Sequence, residues 1–343
     1  MKRMTWIESH TACGRALRAA AVLMAALALT PEWAAGTVQT SPPPGTPSAA
    51  VPATDAVEQL TEVMVEAREP RFVAPTRRDQ IGRIWAPVFI NGRGPFRMVL
   101  DTGASSSVVT AMVALALGIP TDQSPPMTLR GVTGSATVPT IRVDTLSIGD
   151  LSVDSPVLPI VPDALGGAEG ILGYEGLSNK RIFIDFHHDK ITITYSHDER
   201  SAHGFFSVPF RLIRGQLIVV DAVVGRVHTK AIIDTGGQTT IGNLALREAL
   251  AQRDIAFHGK PDQIVGATLA VQNGELIDTP AIQLGSIQIR DSGVTFADMY
   301  IFKQWKLTSE PAIMIGMDAL GTLDTLIIDY RRHELQMRMS NIS

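Results

Sequence analysis

Two carboxylates in matched settings are the residues of this chain best placed to do chemistry. The tripeptide Asp-Thr-Gly occurs at Asp101-Thr102-Gly103 and again at Asp234-Thr235-Gly236, each time after an apolar run, Met98-Val99-Leu100 and Ala231-Ile232-Ile233. Chance would place one such tripeptide in roughly one chain in ten of this length, and two in matching contexts far less often. Two carboxyl groups brought within about 3 Å cannot both ionise cheaply, so one keeps its proton and the other its charge. The charged member can then take a proton from a water held between them while the protonated member polarises a carbonyl. Hydrolysis of a peptide bond by this route needs neither a metal nor a covalent intermediate. The glycine of each motif allows a tight turn and offers its N–H to the carboxylate, and each threonine hydroxyl can bond across to the opposite half.

The elements that must position such a pair recur in one order, as an internal duplication requires. Nine residues after each aspartate stands a helix N-cap candidate, Thr110 before Ala-Met-Val-Ala-Leu-Ala-Leu and Asn243 before Leu-Ala-Leu-Arg-Glu-Ala-Leu, with Gly118 as a stop for the first helix. Further on, Leu146 to Val153 mirrors Ile282 to Ile289, two alternating strands broken by a glycine turn. Gly170-Ile171-Leu172-Gly173 pairs with Ile313-Met314-Ile315-Gly316, and Ile184-Asp185-Phe186 through Ile191 pairs with Ile328-Asp329-Tyr330 through Leu335. Short alternating runs such as Trp85 to Ile90, with Asn91-Gly92-Arg93-Gly94 as a turn before Phe96 to Leu100, predict a mainly β class.

With these residues in view, the two halves together resemble the two subunits of a retropepsin-like aspartic peptidase joined in one chain, over residues 82 to 337. The resemblance rests on the apolar-apolar-Asp-Thr-Gly signature, with Ala104 and Ser105 following in the first half. In each half it continues with a later Ile171-Leu172-Gly173 or Met314-Ile315-Gly316, a second motif that the family packs beneath the active-site loop. It implies an all-β fold of two duplicated β-barrel lobes with pseudo-two-fold symmetry, each with a short helix. Asp101 and Asp234 are then the catalytic pair, and Thr102, Gly103, Ala104, Thr235, Gly236 and Gly237 support their loops. It further implies two flaps that close over an extended substrate, Leu129 to Val138 with Gly131, Val132, Thr133 and Gly134, and Val265 to Ile277 with Ala267 and Thr268, Asn273-Gly274 being read as turn residues. The lobes are too small, and the first flap lacks the tyrosine, for a match to the larger pepsin group. The second half departs at Gly236-Gly237-Gln238 and has no Gly-Gly flap tip.

Residues 1 to 36 carry Lys2, Arg3, Arg15 and Arg18, an apolar run from Ala19 to Leu29 and small residues at Ala34, Ala35 and Gly36, the grammar of a cleaved signal peptide. The run is shorter than the roughly 20 residues that span a bilayer, which places an uncleaved anchor second. Export to the periplasm or medium is expected. Cys13 would leave with the signal, and the formal charge would pass from −4 to about −6. A mildly acidic domain without a basic stripe excludes nucleic acid as an expected partner. Residues 37 to 79 read as a Pro/Ala/Ser-rich linker, within which alternating Thr61 to Arg68 would be either an edge strand or a covering pro-segment. The lobes are placed at 80 to 200 and 201 to 343.

Other reactive-looking residues have plainer readings. His187-His188, near His197 and His203, align with Arg331-Arg332 at a hairpin turn, so no metal and no cofactor is expected. Ser105-Ser106-Ser107 lack a nucleophile elbow and a placed histidine, which assigns them to packing and hydrogen bonding behind the loop. Asp185 and Asp329 precede turns and read as structural, while Trp85 and Trp305 belong to core or groove walls. Two functions follow: an exported aspartic endopeptidase acting as a monomer on an extended polypeptide, or a catalytically silent retropepsin-like binding or assembly module in the periplasm. Because Ala104 and Gly237 carry no hydroxyl to stabilise the charged carboxylate, the pair is expected to titrate above the pepsin pair, with activity from weakly acidic to near-neutral pH.

Overall fold

The structure is a computed structural model, and it describes residues 72–75, 83–121, 124–148, 151–154, 156–163, 165–197, 199–253 and 258–339. The signal-like segment, Thr61 to Arg68 and the Gly149-Asp150 turn lie outside these residues. Strands make up 50% of the described residues and helices 11%, so the molecule is mainly β, in duplicated lobes. Among the described residues no helix is long and apolar enough to cross a membrane.

Each lobe is built on one sheet. The first is eight-stranded and the second ten-stranded. In both, a β-hairpin delivers the aspartate: Trp85–Ile90 with Arg93–Leu100, and Leu217–Val224 with Val227–Ile233. The first hairpin turns at Asn91-Gly92, whose positive φ values of 50° and 71° suit a two-residue turn, so Arg93 and Gly94 already belong to the returning strand. Alternating burial along Trp85–Ile90 sets Ala86, Val88 and Ile90 in the core. The second-motif strands Gly170–Leu172 and Ala312–Ile315 run parallel to the aspartate-bearing strands, Leu172 beside Leu100 and Ile315 beside Ile233. The duplicated all-β lobes are as expected, and among the described residues neither sheet closes into a barrel. In the first lobe the ladder breaks at Pro139, between Ser135–Val138 and Thr140–Arg142, because proline has no N–H to donate.

The helix Ala111–Leu117 ends at Gly118 in the left-handed region, φ 67°. Its expected cap Thr110 makes no side-chain bond to the helix. Asn243 does cap Leu244–Ala251, its Oδ1 accepting from Leu246 N at 2.8 Å, and its amide reaches the carbonyls of Leu307 and Glu310.

A third, six-stranded sheet joins the lobes. Its centre pairs Lys180–Asp185 of the first lobe antiparallel with Leu323–Asp329 of the second: Ile182 faces Ile328, Phe183 faces Ile327 and Ile184 faces Leu326. Under the repeat, Phe183 and Ile327 are equivalent positions, so each faces its own counterpart. That self-complementary register is the mark of a local two-fold axis. The outer strands Phe72–Pro75 and Phe206–Pro209 pair with the outer arms of the two central hairpins, Lys190–Tyr195 and Glu334–Met339. They are a sixth repeated element, and its signal was present in the sequence as Phe-x-x-Pro immediately before each lobe.

Candidate active site

The pseudo-two-fold axis brings the two Asp-Thr-Gly loops face to face. Thr102 Oγ1 donates to Ile233 O at 2.7 Å and accepts from Thr235 N at 3.1 Å. Reciprocally, Thr235 Oγ1 donates to Leu100 O at 2.7 Å and accepts from Thr102 N at 3.2 Å. Both threonines are buried, so these four bonds tie the loops where water cannot compete for them.

Each aspartate lies in the cradle of its own loop. Asp101 Oδ1 accepts from Gly103 N at 2.7 Å and Ala104 N at 3.0 Å, and Asp234 Oδ1 accepts from Gly236 N and Gly237 N, both at 3.0 Å. The two carboxyls converge on one spot, since a Cβ on Gly103 would lie 3.0 Å from Asp234 Oδ1 and 3.3 Å from Asp101 Oδ1, and like charges that close favour a shared proton. The glycines make the approach possible: a Cβ on Gly236 would lie 2.2 Å from Asp101 Cγ. Burial pushes both carboxyls above the ordinary aspartate range. Asp101 rises in spite of the N–H groups of Gly103 and Ala104, the neighbouring Asp234 carboxyl and the positive charge of Arg83. Asp234, only 4% exposed, is driven well above that range, first by burial and then by the charge of Asp101. The two carboxyls therefore titrate as one coupled pair, above the ordinary aspartate range, and share a proton between them.

The second motif lies under each loop as a support. Asp101 N donates to Leu172 O and Tyr174 N to Ala104 O, while Asp234 N donates to Ile315 O and Met317 N to Gly237 O. Gly173 and Gly316 must be glycines, since a Cβ there would come within 2.5 Å of Ser106 C and 2.7 Å of Thr239 O. The hydrogen-bonding role expected of Ser107 behind the loop is found, but sequence reasoning missed its counterpart Thr240 and the carboxylates that both residues meet. Six positions after each aspartate a hydroxyl, Ser107 or Thr240, accepts from the glycine N–H of the second motif, at 3.0 and 3.2 Å. The backbone N–H of the same residue donates to a carboxylate two residues past that glycine, Glu175 or Asp318. The signal was present as Gly-x-Glu and Gly-x-Asp in equivalent places.

Both expected flaps are hairpins. The first pairs Met127–Arg130 with Ser135–Val138 and turns through Gly131, Val132, Thr133 and Gly134. The second pairs Lys260–Val265 with Val271–Asp278 and turns between them at Ala267 and Thr268. Asn273-Gly274 is not the turn. It lies within the returning strand, where Gly274 is required because a Cβ would stand 2.9 Å from Phe296 O. The two tips interlock across the axis: a Cβ on Gly266 would meet Thr133 Oγ1 at 2.3 Å, and one on Gly131 would meet the methyl of Thr268 at 3.4 Å. Val132 packs on the second lobe's cluster of Leu217, Val219 and Met299, and Ala267 on the first lobe's cluster of Val99, Val108 and Leu165. Each flap thus covers the apolar wall of the opposite lobe. Thr133 and Thr268 present buried hydroxyls without a partner at this interface.

Trp85 and Trp305 border the apolar walls of the first and second lobe. His187 and His188 are exposed at a hairpin turn, where His188 Nδ1 lies 2.9 Å from Asp185 Oδ2. Asp185 accepts the N–H groups of that turn and Asp329 binds Arg181, so both recurring aspartates serve structure.

Residues 86–175 match the family model described as aspartyl protease. That stretch, which holds Asp101 and the Ile171-Leu172-Gly173 motif, is similar to the domains of the aspartyl protease family. No curated protein matches the chain.

Proposed function

We propose that the protein is an exported aspartic endopeptidase whose single chain supplies both halves of the catalytic pair. The observation that carries this reading is the convergence of the Asp101 and Asp234 carboxyls on loops tied reciprocally by Thr102 and Thr235. In the reaction, ionised Asp101 takes a proton from a water lying between the carboxyls. The hydroxide adds to the scissile carbonyl carbon as Asp234 passes its proton to the carbonyl oxygen. The tetrahedral diol then collapses, the amide nitrogen takes a proton as the C–N bond breaks, and the pair is left sharing one proton again. The substrate is an extended polypeptide lying between the pair and the flaps, held through its backbone by the hairpin tips. Both aspartates belong to one chain, so a monomer suffices.

The test is cleavage of a denatured protein by the mature chain and by Asp101→Asn and Asp234→Asn. Each variant is expected to be inactive with an unchanged fold, since either removes the shared proton. Wild-type rates in both variants would overturn the reading.

A further inference from the structure

The two lobes repeat each other closely around the pair, yet at one position they differ in charge. Cross-strand register identifies it. Trp85 faces Val99 and Val219 faces Ile232, and both partners stand two residues before an aspartate. Trp85 and Val219 are therefore equivalent, and so are Arg83 and Leu217, two residues earlier. In the second lobe Leu217 is 1% exposed and part of the apolar wall. In the first lobe the same place holds a guanidinium. Arg83 is 8% exposed, Ile84 O beside it accepts Leu100 N at 2.9 Å, and extending the ladder by one residue sets Arg83 alongside Asp101. Its Nη2 is anchored on Leu165 O.

Resting on the catalytic reading above, we propose that Arg83 is the positioning residue that breaks the symmetry of the pair, holding the negative charge on Asp101 and leaving the proton on Asp234. In a symmetric pair the two forms, charge on one side or on the other, would be of equal energy, and half of the molecules would hold the base on the wrong lobe for a given orientation of substrate. One buried cation beside one of two convergent carboxyls removes that degeneracy, because its field acts in a water-poor interior. Among the described residues, the other ionisable groups around Asp101 do not supply the difference. Asp234 is the partner itself, Glu175 lies behind the loop on Ser107 N, and Tyr330, whose phenol burial keeps neutral, adds no charge. The direction agrees: beside the N–H groups of its own loop, the charge of Arg83 is among the influences that oppose the rise of Asp101 on burial.

The experiment follows the side-chain carboxyl carbons of the 13C-labelled mature protein by NMR through a pH titration, with signals assigned from Asp101→Asn and Asp234→Asn. It compares the wild type with Arg83→Gln, which keeps a donor for Leu165 O, Arg83→Leu, which copies Leu217, and Arg83→Lys. The lower midpoint of the pair, seen at Asp101, is expected to rise by about one pH unit or more in Arg83→Gln and Arg83→Leu. It is expected to stay near the wild-type value in Arg83→Lys, and the acid limb of kcat/KM should move with it. An unmoved midpoint in Arg83→Gln, or an equal shift in Arg83→Lys, would overturn the assignment. The titration needs no turnover. A wild type that cleaves nothing but shows the Arg83-dependent midpoint would therefore retain this inference and remove the catalytic reading.

Discussion

Glycine 236 carries the tightest geometric demand of the site, since any side chain there would occupy the place of the Asp101 carboxyl. Gly236→Ala is expected to drive the pair apart and lower kcat/KM by about 100-fold or more, as misplacement by an ångström does in other sites. Gly103→Ala, whose Cβ would approach Asp234 only to 3.0 Å, should cost less. Steady-state kinetics on one peptide would reveal it, and a Gly236→Ala enzyme of normal rate would contradict the described approach. The same pair sets two pH dependences. Both carboxyls titrate above the ordinary 3.8, so the singly protonated form and the activity should peak in the weakly acidic to near-neutral range. An optimum near pH 2 would contradict this. For stability, Asp234 binds its proton more tightly in the folded than in the unfolded chain. Its protonation therefore supports the fold fully below about 3.8, and that support is lost as pH rises through the folded value. Asp234→Asn should accordingly melt higher than the wild type at pH 7, with the gain shrinking toward pH 4. A constant difference across that range would rule out the linkage.

At the scale of elements, the flaps are held by each other rather than by their own lobes alone. The first flap is a separate two-stranded sheet, and its tip is tied to the second lobe by Ile301 N donating to Val132 O at 3.1 Å. The second flap continues into its lobe's sheet, with Glu275 beside Phe296 and Ile277 beside Val294. The interlock of Thr133 over Gly266 should therefore govern how readily the site opens. In Gly266→Ala the new methyl meets the Thr133 hydroxyl, the tips separate, and KM is expected to rise more than kcat falls. Adding Thr133→Ala removes the colliding oxygen and should restore KM. If the double variant stays as poor as the single one, the contact at the tips is not what closes the site.

For the molecule as a whole, the inter-lobe sheet is the element without which neither aspartate has a partner. Arg181 of the first lobe reaches Asp329 of the second at 2.8 Å, and the side chain of Asp329 is fully buried. Burial alone would raise this carboxyl, but the Ser196 hydroxyl, the Arg332 N–H and Arg181 hold it below the ordinary range. Its contribution to stability is thus complete at neutral pH and is lost as pH falls through that lowered value. Asp329→Ala leaves a buried guanidinium without its main partner and is expected to cost about 3 to 5 kcal/mol. Urea unfolding at pH 7 measures this. A loss below about 1 kcal/mol would place the pair with surface ion pairs, which contribute little.

The local sequence determined a great deal: the two Asp-Thr-Gly turns, the second motifs, the hairpins and the helix after each aspartate all follow from short-range patterns of apolar residues, glycines and caps. Because the pattern occurs twice, the sequence also carried the pairing of Asp101 with Asp234 before any coordinates were known. Other features depended on contacts between distant residues and were decided only in the tertiary structure. The flap turn lies at Ala267 and Thr268 rather than at Asn273-Gly274, since a glycine demanded by Phe296 across the sheet looks in sequence like a glycine demanded by a turn. Among the described residues the sheets remain open, because a ladder closes or breaks according to which edges meet. Arg83 and Leu217 became equivalent only through strand register, and the place of the proton within the pair depends on burial and on a cation 18 residues away, quantities that have no one-dimensional signature.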